Sequence, residues 1–462
     1  MVILATVLII QRTIFGFEFP IPWNDETSFI AQALSLSKEN TLYSWGLNQE
    51  STVMWMPPGY MIILSVFYKI FGYSFELTRW ISSGLYILSI LIILKIAKDE
   101  IGKNILLYLV SLFLILSVFL SQYSLVIANI ARMESLYFLT FSLSLLFAIK
   151  KYPVIALAII ISSATIHYNA VYFLLPIGSF IIWSIITRKN ITIRPIELIA
   201  LILSALVVLA YLILVFKNIN SFLQDMHFQF EWKKMGAVMS GSKGWITLGL
   251  LSVIPLGIII NYRDFNTSTW LASYGISFIA MALNGHNMWY SFAFQTGYLL
   301  IILSLILIIK ESTKKAKIHF AVIICIPLLI QQFNHAWGYH DQFSPMLKLI
   351  KSPSQSFLSE ETLKKAKQEI LELPSGSVIS FGYTGIDPFF FNELDKAELK
   401  WSISGNSVTQ LHPLRKLDYR MHCDSALYPA YLFVYDWDGY ARKGEDTGCE
   451  IIDLRVKVNT EE

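Results

Sequence analysis

Residues 22–34 read Pro-Trp-Asn-Asp-Glu-Thr-Ser-Phe-Ile-Ala-Gln-Ala-Leu and follow a hydrophobic opening segment. Phe29, Ile30, Ala33 and Leu34 recur at helical spacing, so the stretch reads as an amphipathic helix with Asn24 as its N-cap. Asp25 and Glu26 then fall in the first turn, where the positive end of the helix dipole favours negative charge. Adjacent carboxylates are costly beside hydrocarbon. The helix is therefore expected to lie on a bilayer and hold both acids at its surface. A carboxylate fixed there is suited to act as a general base on a membrane-bound substrate. Helix capping with solvated charge is the plainer reading of the same pair.

Working outward, composition places the chain in a membrane. Of 462 residues, 55% are hydrophobic and only 15% charged, against about 25% charged in soluble domains. The mean hydropathy is +0.55. A net charge of +3 and the lack of a long basic run exclude a nucleic-acid partner. Cys325, Cys423 and Cys449 show no metal-type spacing. The last two fall in a polar C-terminal region and could pair if it lies in an oxidising compartment. The N-terminus lacks a basic n-region and an A-x-A site, so its first segment is expected to remain as an anchor.

A span takes about 20 apolar residues. Candidates lie near 3–16, 78–95, 104–127, 134–149, 153–166, 170–187, 195–216, 245–261, 269–284, 290–309 and 318–334, about eleven transmembrane helices. Alternate loops carry Lys95, Lys98 and Lys103; Lys150 and Lys151; Arg188, Lys189 and Arg194; Arg263; then Lys310, Lys314, Lys315 and Lys317. The positive-inside rule puts these in the cytoplasm. The acid pair, Arg132, His167, His286 and the C-terminal region then share the extracytoplasmic face.

The first outer loop, 17–77, contains a second apolar stretch, Tyr60–Phe71, introduced by Pro57-Pro58 and closed by Gly72. It is too short to span and reads as another interfacial helix. Segment 217–244 sets Phe222, Met226 and Phe230 on one helical face, as a surface helix or a flap. From residue 345 the composition changes, dividing the chain into a membrane module, 1–344, and a small α/β domain, 345–462, on the outer side. That domain is expected to have a helix from Ser359 to Leu373 and strands at 377–382, 397–404, 427–436 and 449–458.

These elements together resemble the polyprenyl-phosphate-dependent glycosyltransferases of the GT-C superfamily, of the protein O-mannosyltransferase and aminoarabinose transferase type. The resemblance rests on Asn24-Asp-Glu-Thr27, on Met56-Pro-Pro-Gly-Tyr60 through Phe71-Gly72, and on Thr78-Arg79-Trp80. Ala131-Arg-Met-Glu134 and Thr165-Ile-His167 complete it. It departs from the pattern at Met56, where the aminoarabinose branch often has a lysine, and at Thr165-Ile-His-Tyr168, which replaces a Thr-Lys-Gly-Pro run. The late arginine-tyrosine element is represented only by Trp289-Tyr290.

The resemblance implies transfer of a sugar from a polyprenyl-phosphate donor to an acceptor hydroxyl on a glycan, lipid or protein. Asp25 would be the base, and Glu26 would orient the acceptor or support the loop. Arg79, Arg132 and His167 would meet the donor phosphate, with Glu134, Tyr168 and Tyr290 near substrate. Each has a plainer reading: head-group snorkelling for Arg79, an Arg132–Glu134 tie, a packed His167, and an aromatic belt for Tyr168 and Tyr290. The resemblance makes no cofactor certain. Asp25, Glu26 and Glu134 could supply oxygens to a divalent metal, a choice the residues leave open. The rivals are a flippase or transporter of lipid-linked saccharide, which would carry charges within its spans, and a non-catalytic assembly subunit.

Overall fold

The computed structural model describes residues 24–43, 52–102, 104–119, 128–150, 152–168, 177–179, 193–232, 267–283, 292–311, 360–381, 386–402, 417–423 and 449–455. The expected spans at 3–16, 245–261 and 318–334 lie outside them, as does nearly all of 170–187. So do Tyr290, His286 and the expected strand at 427–436.

Helix α1 spans Asn24–Glu39, with Asp25 and Glu26 in its first turn. The rest of the chain covers both its apolar side and much of its polar side. Phe29, Ile30 and Ala33 are buried on one side, and Glu26, Thr27, Ser28 and Gln32 are buried as well. Buried polar groups there find partners in part: the Gln32 amide N–H donates to the Val53 carbonyl at 3.1 Å, and Arg79 and Ala131 N–H groups donate to Glu26.

Helix α2 spans Gly59–Phe71 and ends at Gly72, whose φ of 76° frees its N–H to bond Tyr68 O at 3.0 Å. Tyr60, Met61, Leu64 and Tyr68 are buried against α1 and its neighbours, while Ile62, Val66, Ile70 and Phe71 form an exposed apolar stripe. Such a stripe suits contact with lipid.

Helix α3, Phe75–Ile101, is capped by Ser74, which accepts from Leu77 N at 3.1 Å. It is followed by α4 (Ile105–Phe119), α5 (Met133–Ile149), α6 (Pro153–Ser163) and α7 (Pro195–Lys217). Next come α8 (Ile219–Trp232), α9 (Thr267–Leu283) and α10 (Phe292–Glu311). Among the described residues, α3 and α7 are long and apolar enough to cross a membrane.

Serines stitch the helices together. Ser83 Oγ donates to Ala128 O at 2.6 Å, Ser144 Oγ to Ala156 O at 3.0 Å, and Ser204 Oγ to Ala158 O at 2.8 Å. Small polar residues of this kind allow close helix approach in an apolar medium. The α9–α10 pair is tighter still: a Cβ built on Gly275 would lie 2.9 Å from Gly297 O, and one on Gly297 would lie 2.8 Å from Gly275 O.

One end of the bundle is tied by lysines. Asp99 meets Lys150 at 2.7 Å and Lys95 at 3.5 Å, and Glu100 meets Lys310 at 3.0 Å. Three of the expected cytoplasmic loops thus converge. Arg79 lies on the same helix as Asp99 but toward its other end, about 30 Å away at ~1.5 Å per residue, close to the thickness of a hydrocarbon core.

The C-terminal part begins, among the described residues, with α11 (Glu360–Leu371). After it come β1 (Val378–Ser380), a 3-10 turn (Asp387–Phe389), α12 (Phe391–Lys396), β2 (Lys400–Ser402), β3 (Tyr419–Cys423) and β4 (Cys449–Asp453). The sheet order is β2-β1-β3-β4, parallel except for antiparallel β3–β4. Strand β3 is absent from the sequence expectation; its alternation is short, with Tyr419 and Met421 buried around an exposed Arg420. Cys449 is disulfide-bonded, and Cys423 stands opposite it in the backbone register.

Candidate active site

Four chain segments converge at the end of α3 away from the lysines: the start of α1, the second turn of α3, residues 128–134 and the break after α6. Adjacent residues on a helix point about 100° apart, a consequence of 3.6 residues per turn. Asp25 and Glu26 therefore face different partners.

Glu26 turns inward. Arg79 Nε donates to its Oε1 at 2.9 Å and Nη2 to its Oε2 at 2.7 Å, with both side chains 0% exposed. Ala131 N adds a third donor to Oε1, at 2.7 Å. Charge-assisted fork geometry of this kind is strong and directional. Phe75 lies against the guanidinium, 4.5 Å from ring centroid to Cζ. Arg79 neither snorkels to a surface nor stands open to a phosphate. The residue expected to meet the donor phosphate is thus buried, with two arms of its guanidinium on Glu26.

Asp25 turns toward Arg132. Arg132 Nη1 donates to Asp25 Oδ2 at 2.8 Å. The rest of its fork goes to Glu134, with Nε to Oε2 at 3.2 Å and Nη2 to Oε1 at 3.0 Å. Arg132 is the N-cap of α5, in extended conformation, and Glu134 sits in that helix's first turn. The two residues are tied as the plainer reading had it, and the tie aims Nη1 at Asp25.

The side chain of Asp25 is 14% exposed, against 2% for Arg132 and 4% for Glu134. No described residue donates to its Oδ1. Among the described residues the cluster thus sets the two arginines 79 and 132 against the three carboxylates 25, 26 and 134, with His167 beside them. The most open carboxylate is Asp25.

The break after α6 supplies the opposite wall. His167 is nearly buried and stacks on Tyr137, with centroids 5.3 Å apart. It also interacts electrostatically with Glu134. Tyr168 does not reach the cluster. Its hydroxyl donates to Met54 O at 3.4 Å and lies 3.4 Å from Tyr211 O.

Sequence reasoning overlooked the partners of the 52–58 segment. Asp225 on α8 accepts from Met54 N, so both polar backbone groups of Met54 are held by side chains. Trp55 stacks on Phe29 at 5.3 Å, and the Phe29 ring lies 5.8 Å from Arg132 Cζ. A signal was available for each: Asp225 is an acid inside an amphipathic apolar run, and Gln32 is a polar residue on the apolar face of α1.

The oxygens of Glu26 and Glu134 are taken by guanidinium and backbone N–H groups. Among the described residues no three of His, Cys, Asp and Glu are grouped to hold a metal ion.

No family model and no curated protein matches the chain. Among solved structures it is similar to the crystal structure of ArnT from Cupriavidus metallidurans bound to undecaprenyl phosphate. Identity is 11% over 94% of each chain, with a TM-score of 0.49.

Proposed function

We propose that the protein is a GT-C-type membrane glycosyltransferase that moves a sugar from a polyprenyl-phosphate donor to an acceptor hydroxyl on the extracytoplasmic face. The observation that carries this reading is Asp25. It is a partly open carboxylate with one oxygen fixed by Arg132 and the other without a donor among the described residues, at the opposite end of the bundle from the converging lysines.

In the proposed reaction the acceptor hydroxyl gives its proton to Asp25 as its oxygen attacks the anomeric carbon. The bond from that carbon to the phosphate oxygen breaks on the opposite side, inverting the centre, and its electron pair leaves with the phosphate. Arg132 and His167 provide positive potential for the departing phosphate. Glu134 holds Arg132 in place, and the Glu26–Arg79 pair fixes α1 so that Asp25 is pre-set. The exposed apolar stripe Ile62, Val66, Ile70 and Phe71 on α2 is a surface along which an isoprenoid chain would lie.

A flippase would need charge within its spans. In α3 the described ion pairs fall near the two ends instead.

The test is transfer by purified protein offered a panel of polyprenyl-phosphate hexoses and pentoses, reading release of free polyprenyl phosphate. Wild type is expected to release carrier from at least one donor, and Asp25→Asn to release it about 10²–10⁴-fold more slowly. Full release by the variant would remove the base from the mechanism.

A further inference from the structure

The site is mechanically connected to the C-terminal part of the chain. In the last turn of α1, Lys38 pairs with Asp395 of α12. In the loop between α2 and α3, the Tyr73 hydroxyl donates to Pro388 O at 2.7 Å, and the Tyr73 ring packs 5.7 Å from that of Phe391. Burial pushes the Tyr73 phenol up, so it remains a donor at neutral pH. At the start of α3, Phe75 meets Phe389 edge to face at 5.0 Å. These contacts bind the 3-10 turn and α12 to the root of α3, one turn from Arg79.

From there each step is a direct contact. Phe389 backs Phe75, and Phe75 covers the Arg79 guanidinium at 4.5 Å. Arg79 grips Glu26 with its fork, and Glu26 takes the amide of Ala131, the residue before Arg132. Arg132 in turn fixes Asp25. Glu26 and Asp25 are neighbours on one helical turn, so a rotation of the Arg79 fork turns both.

We propose that the C-terminal part is a positioning element for the site, and that Phe389 is the positioning residue through which it acts. Its ring keeps Phe75 against Arg79, which holds the fork in the plane that sets α1 and hence Asp25. This deepens the proposed function and rests on it for its kinetic readout. Near-attack geometry is sensitive enough that a displacement of about 1 Å, even from a distant change, can cost about 10²-fold in rate.

The experiment compares Phe389→Ala with Phe389→Tyr in the full chain. In the carrier-release assay, using the donor that wild type accepts, Phe389→Ala is expected to lower kcat about tenfold with donor KM within about twofold. Phe389→Tyr, which keeps the ring, is expected to restore kcat to within about twofold of wild type. Hydrogen exchange in peptides covering residues 24–39 is expected to quicken in Phe389→Ala and not in Phe389→Tyr.

A kcat that does not fall, a loss that the ring-bearing variant fails to restore, or unchanged exchange across α1 each overturns the inference. If wild type transfers no sugar from any donor, the exchange arm decides alone. Quickened exchange then supports the coupling although the reaction has failed, and unchanged exchange refutes the coupling.

Discussion

Asp25 and Glu26 differ by one methylene and one position, yet the structure sends them to opposite fates. Glu26 is sealed with Arg79, and removing either partner leaves a buried charge unmatched. Such a loss typically costs about 3–5 kcal/mol. Glu26→Gln is therefore expected to lower the thermal unfolding temperature of the detergent-purified protein by far more than Asp25→Asn does, as read by intrinsic tryptophan fluorescence. Asp25→Asn should instead leave unfolding near wild type and reduce carrier release by about 10²–10⁴-fold, the usual contribution of a general base. Equal melting losses in the two variants would mean that both acids are structural. The sequence displayed the acid pair, Arg79, Arg132 and Glu134, but could not say which acid meets which arginine. That depends on the rotation of α1 about its axis, which its buried polar contacts set: Gln32 with Val53 O and Glu26 with Ala131 N.

Among the elements, the meeting of α2 with the break after α6 shows what sequence could and could not reveal. Pro57-Pro58 and Gly72 mark the ends of α2 by local chemistry alone, and the helix observed there is Gly59–Phe71. Gly59 itself has a non-local reason. Its N–H bonds Thr165 O at 2.8 Å, and a Cβ would come within 2.7 Å of that oxygen and 2.9 Å of Ile166 Cγ1. No local pattern shows such a contact. Gly59→Ala must push α2 off the break, at an expected cost of about 1–3 kcal/mol, the range for overpacking. It should also reduce carrier release, because the break carries His167. Gly72→Ala meets nothing within 4 Å and is strained only by its positive φ of 76°. It should cost about 1 kcal/mol and leave release close to wild type. Urea titrations of the two variants beside the release assay check both expectations; a Gly72→Ala protein less active than Gly59→Ala would contradict the docking argument. Helix α1 shows a further limit of periodicity. Periodicity identified its apolar face but said nothing of what covers the polar one.

The whole molecule has two poles, and the proposed reaction requires them to face opposite sides of a membrane. At one, Asp99 and Glu100 collect Lys95, Lys150 and Lys310. At the other, the acid–arginine cluster lies beside the α2–α3 loop, on which Pro388 and Phe389 are seated. Charge asymmetry between loops is a property of composition, so the polarity was readable before any contact was known. The seating of the C-terminal part on the site was not, since it joins Tyr73 to Pro388 across 315 positions of chain. Single cysteines test the arrangement directly. Lys95, with 61% of its side chain exposed, marks the lysine pole; Lys396, exposed at the end of α12, marks the other. In intact spheroplasts a membrane-impermeant maleimide is expected to modify Lys396→Cys and to spare Lys95→Cys until the membrane is opened with detergent. Wild type serves as the baseline, with Cys449 already disulfide-bonded. If the reagent instead reached Lys95→Cys first, Asp25 would face the cytoplasm. The base would then be on the wrong side for an extracytoplasmic acceptor, however well Arg132 aims it.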